Sequence, residues 1–160
     1  MRPGGMAANL RHRFARHSHT DAMKRTIHRN VKVKRAAHGL GLFAIGPIKK
    51  GALIGEYWGE IITEAEADRR GGKYLFELEN QMAIDGKTRQ NIARYINHSC
   101  NPNCEPEENV EKKRVHILAR RNIREGEELG YNYGKEYWVT HIKPLKCRCG
   151  CGGRGPARWR

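Results

Sequence analysis

Residues 94–104 read RYINHSCNPNC, and this stretch decides the fold of the chain. GEELGYNYG follows at residues 126–134, and CRCGC follows at residues 147–151. The first run is polar, prone to turns and rich in side chains that form hydrogen bonds or bind metals, so amphipathic packing does not account for it. We interpret the three runs together as the parts of one functional site.

Length and composition limit the class of protein. A chain of 160 residues has room for one domain with a modest core. The hydrophobic content is 38%, the mean hydropathy is −0.81, and no apolar run approaches the roughly 18 residues that a membrane helix needs. We therefore expect a soluble protein with no membrane contact. We also expect a monomer.

The amino-terminal segment carries most of the positive charge. The formal net charge is +14, and residues 1–35 hold ten of the 31 Lys and Arg residues and one acid, Asp21, which makes this segment +9. Residues 1–28 contain few large apolar side chains, so we expect a disordered arm. Contact with nucleic acid through residues 1–35, a solvated tail, a start at Met6 or Met23, and a transit peptide all remain open.

The cysteines point to a metal rather than to disulfides. Three of the five cysteines are Cys147, Cys149 and Cys151, and alternate cysteines are poorly placed to bridge one another. Together with Cys100 they would form a four-thiolate zinc site. Reduced cysteines and the lack of an apolar signal segment predict an intracellular protein, cytoplasmic or associated with chromosomes or the nucleus, and not a secreted one.

Short β-prone runs dominate the rest of the chain. VKVK, LFAI, ALIGEYWGEII, YLFELE, MAID and RVHILA are separated by Gly, Pro, Asn or charged residues. The clearest helix is TEAEADRR, in which Thr63 and Glu66 complete a capping box, and NIARYIN predicts a second, short helix. The pattern predicts a mainly β domain of several small sheets with few short helices.

In order, HGLGLF, EYWGE, RYINHSCNPNC, GEELGYNYG and the final cysteine cluster resemble the SET-domain protein-lysine methyltransferases with a post-SET zinc tail. The resemblance covers approximately residues 30–155. It implies small curved β-sheets around a threaded pseudoknot. It also implies a SET domain over residues 29–140, a zinc-binding tail over 141–155 and a disordered end over 156–160. S-adenosylmethionine would lie on one side, and a lysine of a protein substrate would enter from the other.

The same resemblance assigns roles to individual residues. Tyr133 matches the catalytic tyrosine and also touches the cofactor, while Tyr57 and Tyr131 wall the lysine channel. A tyrosine at position 131 is typical of members that stop at one or two methyl groups. The cofactor would contact Gly39, Leu40, Gly41, Arg94, Asn97 and His98, and structural zinc would be bound by Cys100, Cys147, Cys149 and Cys151.

Some features leave the function open. The spacing CRCGC is shorter than the usual tail, and Gly130 and Asn132 replace the usual residues of the motif. The partner would be a protein with an exposed lysine, histone-like, chromatin-associated or ribosomal. The basic charge of the chain favours substrates already bound to nucleic acid. The alternative is a non-catalytic, zinc-stabilised module that holds nucleic acid or chromatin through the basic arm.

Overall fold

The computed structural model describes residues 26–37, 39–145, 147–151 and 155–156. The predictions for the basic arm and for the carboxyl end therefore fall almost entirely outside the described residues. The first described residues contact the domain, because Ile27 pairs with Gly55 and the His28 N–H donates to the Ile54 carbonyl at 2.7 Å. No helix within these described ranges is long and apolar enough to cross a membrane.

Within the described residues, ten short strands form four small sheets, which confirms the prediction of a mainly β fold. In chain order the strands are β1 (Val31–Ala36), β2 (Gly39–Ala44), β3 (Leu53–Tyr57), β4 (Glu60–Thr63), β5 (Leu75–Leu78), β6 (Met82–Asp85), β7 (Asn97–His98), β8 (Cys104–Asn109), β9 (Arg114–Ala119) and β10 (Gly130–Tyr131). Three sheets are antiparallel, with the orders β1-β2, β3-β9-β8 and β4-β6-β5. The fourth pairs β7 with β10 in parallel.

In the part of the chain that the structure describes, the helices are few and short. The capping-box helix α1 (Glu64–Arg70) forms as predicted, with the Glu66 N–H donating to Thr63 Oγ1 at 3.2 Å. The second predicted helix is a single 3₁₀ turn, Ile92–Tyr95. The sequence patterns did not predict the third helical region, which consists of α2 (Lys135–Tyr137), a π-helical turn (Trp138–Ile142) and a 3₁₀ turn (Lys143–Leu145).

The apolar run ALIGEYWGEII, which the sequence pattern presents as one β-prone stretch, forms two strands of different sheets. β3 ends at Tyr57, and β4 begins at Glu60. Gly59 passes so close to the Asp85 carbonyl that a Cβ atom there would overlap it. The glycine therefore lets the chain cross from one sheet to the next, and it places Tyr57 at the end of a strand, facing a cavity.

The core lies between the sheets and beneath the β7–β10 pair. Its largest fully buried apolar side chains come from β2, β3, β6, β9 and the segments between strands, and they are Leu42, Ile48, Ile54, Ile84, Ile96, Val115, Ile117, Ile123 and Leu129. Asn103, only 5% exposed, joins the segment after β7 to the segment that enters β10. Its Nδ2 donates to the Glu128 carbonyl and its Oδ1 accepts from the Gly130 N–H, both at 2.9 Å. These bonds tie the segment after β7 to β10, as a threaded crossing requires.

Candidate functional site

Two cavities flank the β7–β10 pair. The larger has a volume of about 430 Å³ and the smaller about 280 Å³. Successive residues of a strand face opposite sides. In β10, accordingly, Gly130 lines the larger cavity and Tyr131 the smaller one. The stretches 94–104 and 126–134 therefore supply β7 and β10, and this strand pair separates the two cavities.

The larger cavity has a polar wall from β7. Asn97 lines it, and its Nδ2 donates to Glu128 Oε1 at 2.7 Å and to the Leu40 carbonyl at 3.2 Å. This second bond joins the start of β2 to Asn97 through the Leu40 carbonyl, but the predicted residues Gly39, Leu40 and Gly41 do not themselves line the cavity. The opposite wall comes from the carboxyl-terminal helical region and the tail, including Ile142, Leu145 and Cys147.

His98 connects the larger cavity to Tyr133. The Tyr133 N–H donates to His98 Nδ1 at 3.3 Å, and the two rings meet edge to face with their centroids 5.5 Å apart. Burial lowers the pKa of His98 to about 4, so the ring is neutral at physiological pH. Because Nδ1 accepts, the proton lies on Nε2, which donates to the Cys100 sulfur at 3.2 Å.

The smaller cavity is walled by aromatic rings. Ring centroids are 5.4 Å apart for Tyr57 and Phe76, 6.3 Å for Phe76 and Tyr131, and 4.8 Å for Tyr131 and Tyr133. Tyr137 closes the series, with its ring 5.3 Å from that of Tyr133. The three predicted tyrosines, Tyr57, Tyr131 and Tyr133, thus line one space.

The tyrosine hydroxyls have separate surroundings. Tyr57 donates to the Tyr74 carbonyl at 2.8 Å, and Tyr133 donates to the Ile96 carbonyl at 2.7 Å. Among the described residues, no hydrogen-bond partner meets the Tyr131 hydroxyl, although Tyr131 is only 7% exposed. Burial raises the pKa of all three phenols above the ordinary value, so they stay neutral and none serves as a general base at neutral pH.

Of the residues that the resemblance assigned to the cofactor, Asn97 and His98 line the larger cavity, whereas Arg94 and Tyr133 line the smaller one. The guanidinium carbon of Arg94 stands 3.7 Å from the centroid of the Tyr74 ring and 5.2 Å from that of Tyr95. The structure therefore places this cation against the aromatic space.

The four cysteines predicted to bind zinc come together. The sulfurs of Cys100, Cys147, Cys149 and Cys151 all lie within 4.8 Å of one another. The Cys100 and Cys147 sulfurs are 3.6 Å apart, and those of Cys147 and Cys149 are 3.3 Å apart. Four thiolates with Zn–S bonds of about 2.3 Å in a tetrahedron would stand roughly 3.8 Å apart, so the donor set and its spacing fit zinc. The short CRCGC tail therefore reaches the required arrangement.

Burial affects the protonation of this cluster. It raises the pKa of the Cys100 thiol, and it raises that of the Cys147 thiol to about 11. A metal would have to displace protons from both thiols, so its binding would be weaker at low pH. Cys147 and Cys149 also line the larger cavity. The cluster thus lies where the tail forms part of that cavity's wall.

The comparisons with known proteins agree with this geometry. Residues 39–134 match the family model described as the SET domain. Relatives include the mouse histone-lysine N-methyltransferase EHMT1, 36% identical over 123 residues, which are 70% of this chain and 10% of the relative. The Drosophila melanogaster histone-lysine N-methyltransferase trr is 38% identical over 148 residues, 86% of this chain and 6% of the relative.

A third relative is the H3 lysine-4-specific histone-lysine N-methyltransferase of Schizosaccharomyces pombe, 40% identical over 124 residues, 71% of this chain and 13% of the relative. The chain thus spans 6% to 13% of the length of these curated relatives. The family model covers more than half of the chain, and its boundaries enclose both cavities' shared partition, from β2 to Gly134. The chain therefore belongs to the SET-domain family.

Proposed function

We propose that the protein transfers a methyl group from S-adenosylmethionine to the ε-amino group of a lysine in a protein substrate. The observation that carries this proposal is the link between the two cavities. His98 lines the larger cavity and Tyr133 the smaller one, and the two residues contact each other directly. Two ligands bound on either side of β7 and β10 would therefore meet at Tyr133.

The larger cavity suits the methyl donor. Its volume of about 430 Å³ falls within the ~300–1,000 Å³ typical of small-molecule sites. The amide of Asn97, the imidazole of His98 and the backbone at Gly39, Leu40 and Gly41 would hold the ligand. When bound, S-adenosylmethionine supplies a methyl group on a positively charged sulfur.

The smaller cavity suits a lysine side chain. Its aromatic walls would accept the four-carbon stem and exclude water, and loss of solvation disfavours the ammonium form. A free lysine has a pKa of about 10.4, so this environment must deliver a neutral amine. The neutral tyrosines would orient that amine rather than deprotonate it, with Tyr133 at the partition between the two cavities.

We infer that the product is mono- or dimethyl-lysine. The Tyr131 hydroxyl has no partner among the described residues, and the residue lines the smaller cavity. It is therefore free to bond the amine, or a water beside it, and so to restrict the rotation that further transfers need. Phenylalanine at this position would remove that restriction.

The cysteine cluster would bind one structural zinc ion. The ion would cross-link Cys100, two residues after β7, to Cys147, Cys149 and Cys151 in the tail. That link would hold the tail against the SET domain, in line with a division into a SET domain over residues 29–140 and a tail over 141–155.

The lining of the smaller cavity carries charges of both signs, with the acid Glu77 and the cations Lys73 and Arg94. Beyond Glu77, the Glu79 N–H donates to Glu108 Oε1 at 3.0 Å. This rim gives a basic segment no net electrostatic attraction, so the charge of the chain favours substrates already bound to nucleic acid. The relatives named above are histone-lysine methyltransferases, and we propose a histone-like, chromatin-associated or ribosomal substrate in the nucleus or on chromosomes. The basic arm would add contact with nucleic acid.

Labelled S-adenosylmethionine and fractionated basic proteins would test the proposal. The purified chain is compared with Tyr133→Phe, which removes the hydroxyl bonded to Ile96, and modified sites are located by mass spectrometry. Label on lysine that falls at least tenfold in the variant supports the proposal. Cofactor binding without transfer to any fraction would favour the non-catalytic, nucleic-acid-binding alternative.

A further inference from the structure

Arg94 occupies a site between a loop and the wall of the smaller cavity. It lies in the 3₁₀ turn Ile92–Tyr95, and its Nη1 donates to the Lys87 carbonyl in the loop that follows β6. Its guanidinium covers the face of the Tyr74 ring, with 3.7 Å between the guanidinium carbon and the ring centroid. Its Nε is buried and finds no acceptor among the described residues, so the ring face is the main partner of the buried part of the cation.

Tyr74 and the loop after β6 in turn hold Tyr57. The Tyr74 carbonyl accepts from the Tyr57 hydroxyl and from the Gly86 N–H, both at 2.8 Å. Gly86 packs so closely on Tyr57 that a Cβ atom there would lie 2.6 Å from its hydroxyl. The buried Asn91 donates to the Gly86 carbonyl at 3.3 Å from the other side. A displacement of Tyr74 or of the loop would therefore move Tyr57.

We propose that Arg94 is a positioning residue for the smaller cavity: by stacking on Tyr74 and bonding the Lys87 carbonyl, it fixes the Tyr57 wall against which the substrate lysine lies. This inference rests on the proposed function, and it moves Arg94 from the cofactor side to the substrate side. A planar guanidinium stacks on a ring and donates in its own plane at the same time. Lysine cannot do both, so retention of the charge alone does not preserve the wall.

Hydrogen exchange and steady-state kinetics of the full chain test the inference. The variants are Arg94→Met and Arg94→Lys. The control is Arg89→Met, which removes an exposed cation from the same loop. Loss of the stack and the hydrogen bond should raise amide exchange of residues 73–78 and 86–91 about tenfold in both Arg94 variants, leaving residues 39–44 unchanged.

In the same variants the KM for a lysine peptide should rise about tenfold, while the dissociation constant for S-adenosylmethionine stays within about twofold. The product should shift toward the higher methylated forms, an effect that mere loss of stability does not produce. Arg89→Met should match the original protein in every readout. Unchanged exchange at residues 73–78 and 86–91, rescue by Arg94→Lys, or a cofactor affinity that falls as far as the peptide KM rises would overturn the inference. If the unmodified chain methylates no peptide, the proposed function fails, and the exchange data still decide the role of Arg94.

Discussion

Replacing Asn103 with alanine should loosen the threaded crossing. The change removes both hydrogen bonds that join Asn103 to the strand-forming segment, and it leaves the Gly130 N–H and the Glu128 carbonyl without these partners. A buried polar group left unpaired costs about 1–3 kcal/mol. Gly130 is buried, whereas water can reach the exposed residue Glu128 more readily. We therefore expect the free energy of unfolding to fall by about 2–4 kcal/mol, out of roughly 5–15 kcal/mol for a domain.

Urea unfolding followed by tryptophan fluorescence measures this loss directly, at constant slope m. Asn101→Ala is the matched control, because Asn101 is an exposed asparagine of the same segment. It should change the free energy of unfolding by less than about 0.5 kcal/mol. A loss below about 1 kcal/mol for Asn103→Ala, or an equal loss in both variants, would refute the argument that two buried hydrogen bonds fasten the crossing.

Further perturbations test other parts of the account. Tyr131→Phe should increase the highest methylated product seen by mass spectrometry; an unchanged product distribution contradicts the role given to its hydroxyl. Chelation of zinc, or Cys149→Ser, should lower the melting temperature and cofactor affinity together, and a chain that contains no zinc by elemental analysis would exclude that site. The hydrogen bond from Arg121 lowers the pKa of Glu127 to about 2. The ionised Glu127 carboxylate therefore adds to the free energy of unfolding above its unfolded pKa, and this contribution is lost as the pH falls toward 2. Glu127→Gln should make the free energy of unfolding depend less on pH in the acid range. Deletion of residues 1–25, which spares the contacts of Ile27 and His28 with β3, removes six cations and one acid. It should reduce the salt slope of any DNA binding by up to about 5 while methylation of a free peptide survives.

Local signals in the sequence predict local structure well in this chain. The helix α1 follows from the Thr63 and Glu66 capping box, because both partners lie within one turn. RVHILA becomes β9 with strict alternation of buried and half-buried residues, since one of its faces covers the core. The residues within each of these elements are enough to indicate its secondary structure.

The strand β8 was missed because its composition argues against a strand. CEPEEN contains Pro106 and three glutamates, and such residues are uncommon in strands. β8 is nevertheless the edge of the sheet β3-β9-β8, where a proline can place its missing donor toward solvent and charged side chains discourage further pairing. Position in the sheet thus overrides propensity, and no local pattern reveals that position.

The helical region after Gly134 was missed for a different reason. Its three pieces hold only three to five residues each, too few to be stable alone or to show a helical repeat. They are held by tertiary contacts: Trp138 is 8% exposed, and the Tyr137 ring packs on Tyr133. Tyr137 therefore becomes part of the site only through its packing on Tyr133.

For the site, the ordered motifs indicate which residues take part, but they do not indicate which cavity each side chain faces. The run NHSC identifies Asn97 and His98, and GEELGYNYG identifies Tyr131 and Tyr133, because the motif fixes both residue type and backbone path. Arg94 lies within the same motif, yet its side chain turns to the other cavity to stack on Tyr74. The partner ring is 20 residues earlier in the chain, so sequence adjacency to the motif could not indicate the direction.

A crystal structure with S-adenosylhomocysteine and a lysine peptide tests the central claim most directly. The account predicts the nucleoside ligand beside Asn97 and His98, the lysine between Tyr57 and Tyr131, and the two ligands meeting at Tyr133. Both ligands in one cavity, or a lysine bound away from the aromatic walls, would contradict the assignment of one cavity to the methyl donor and the other to the substrate.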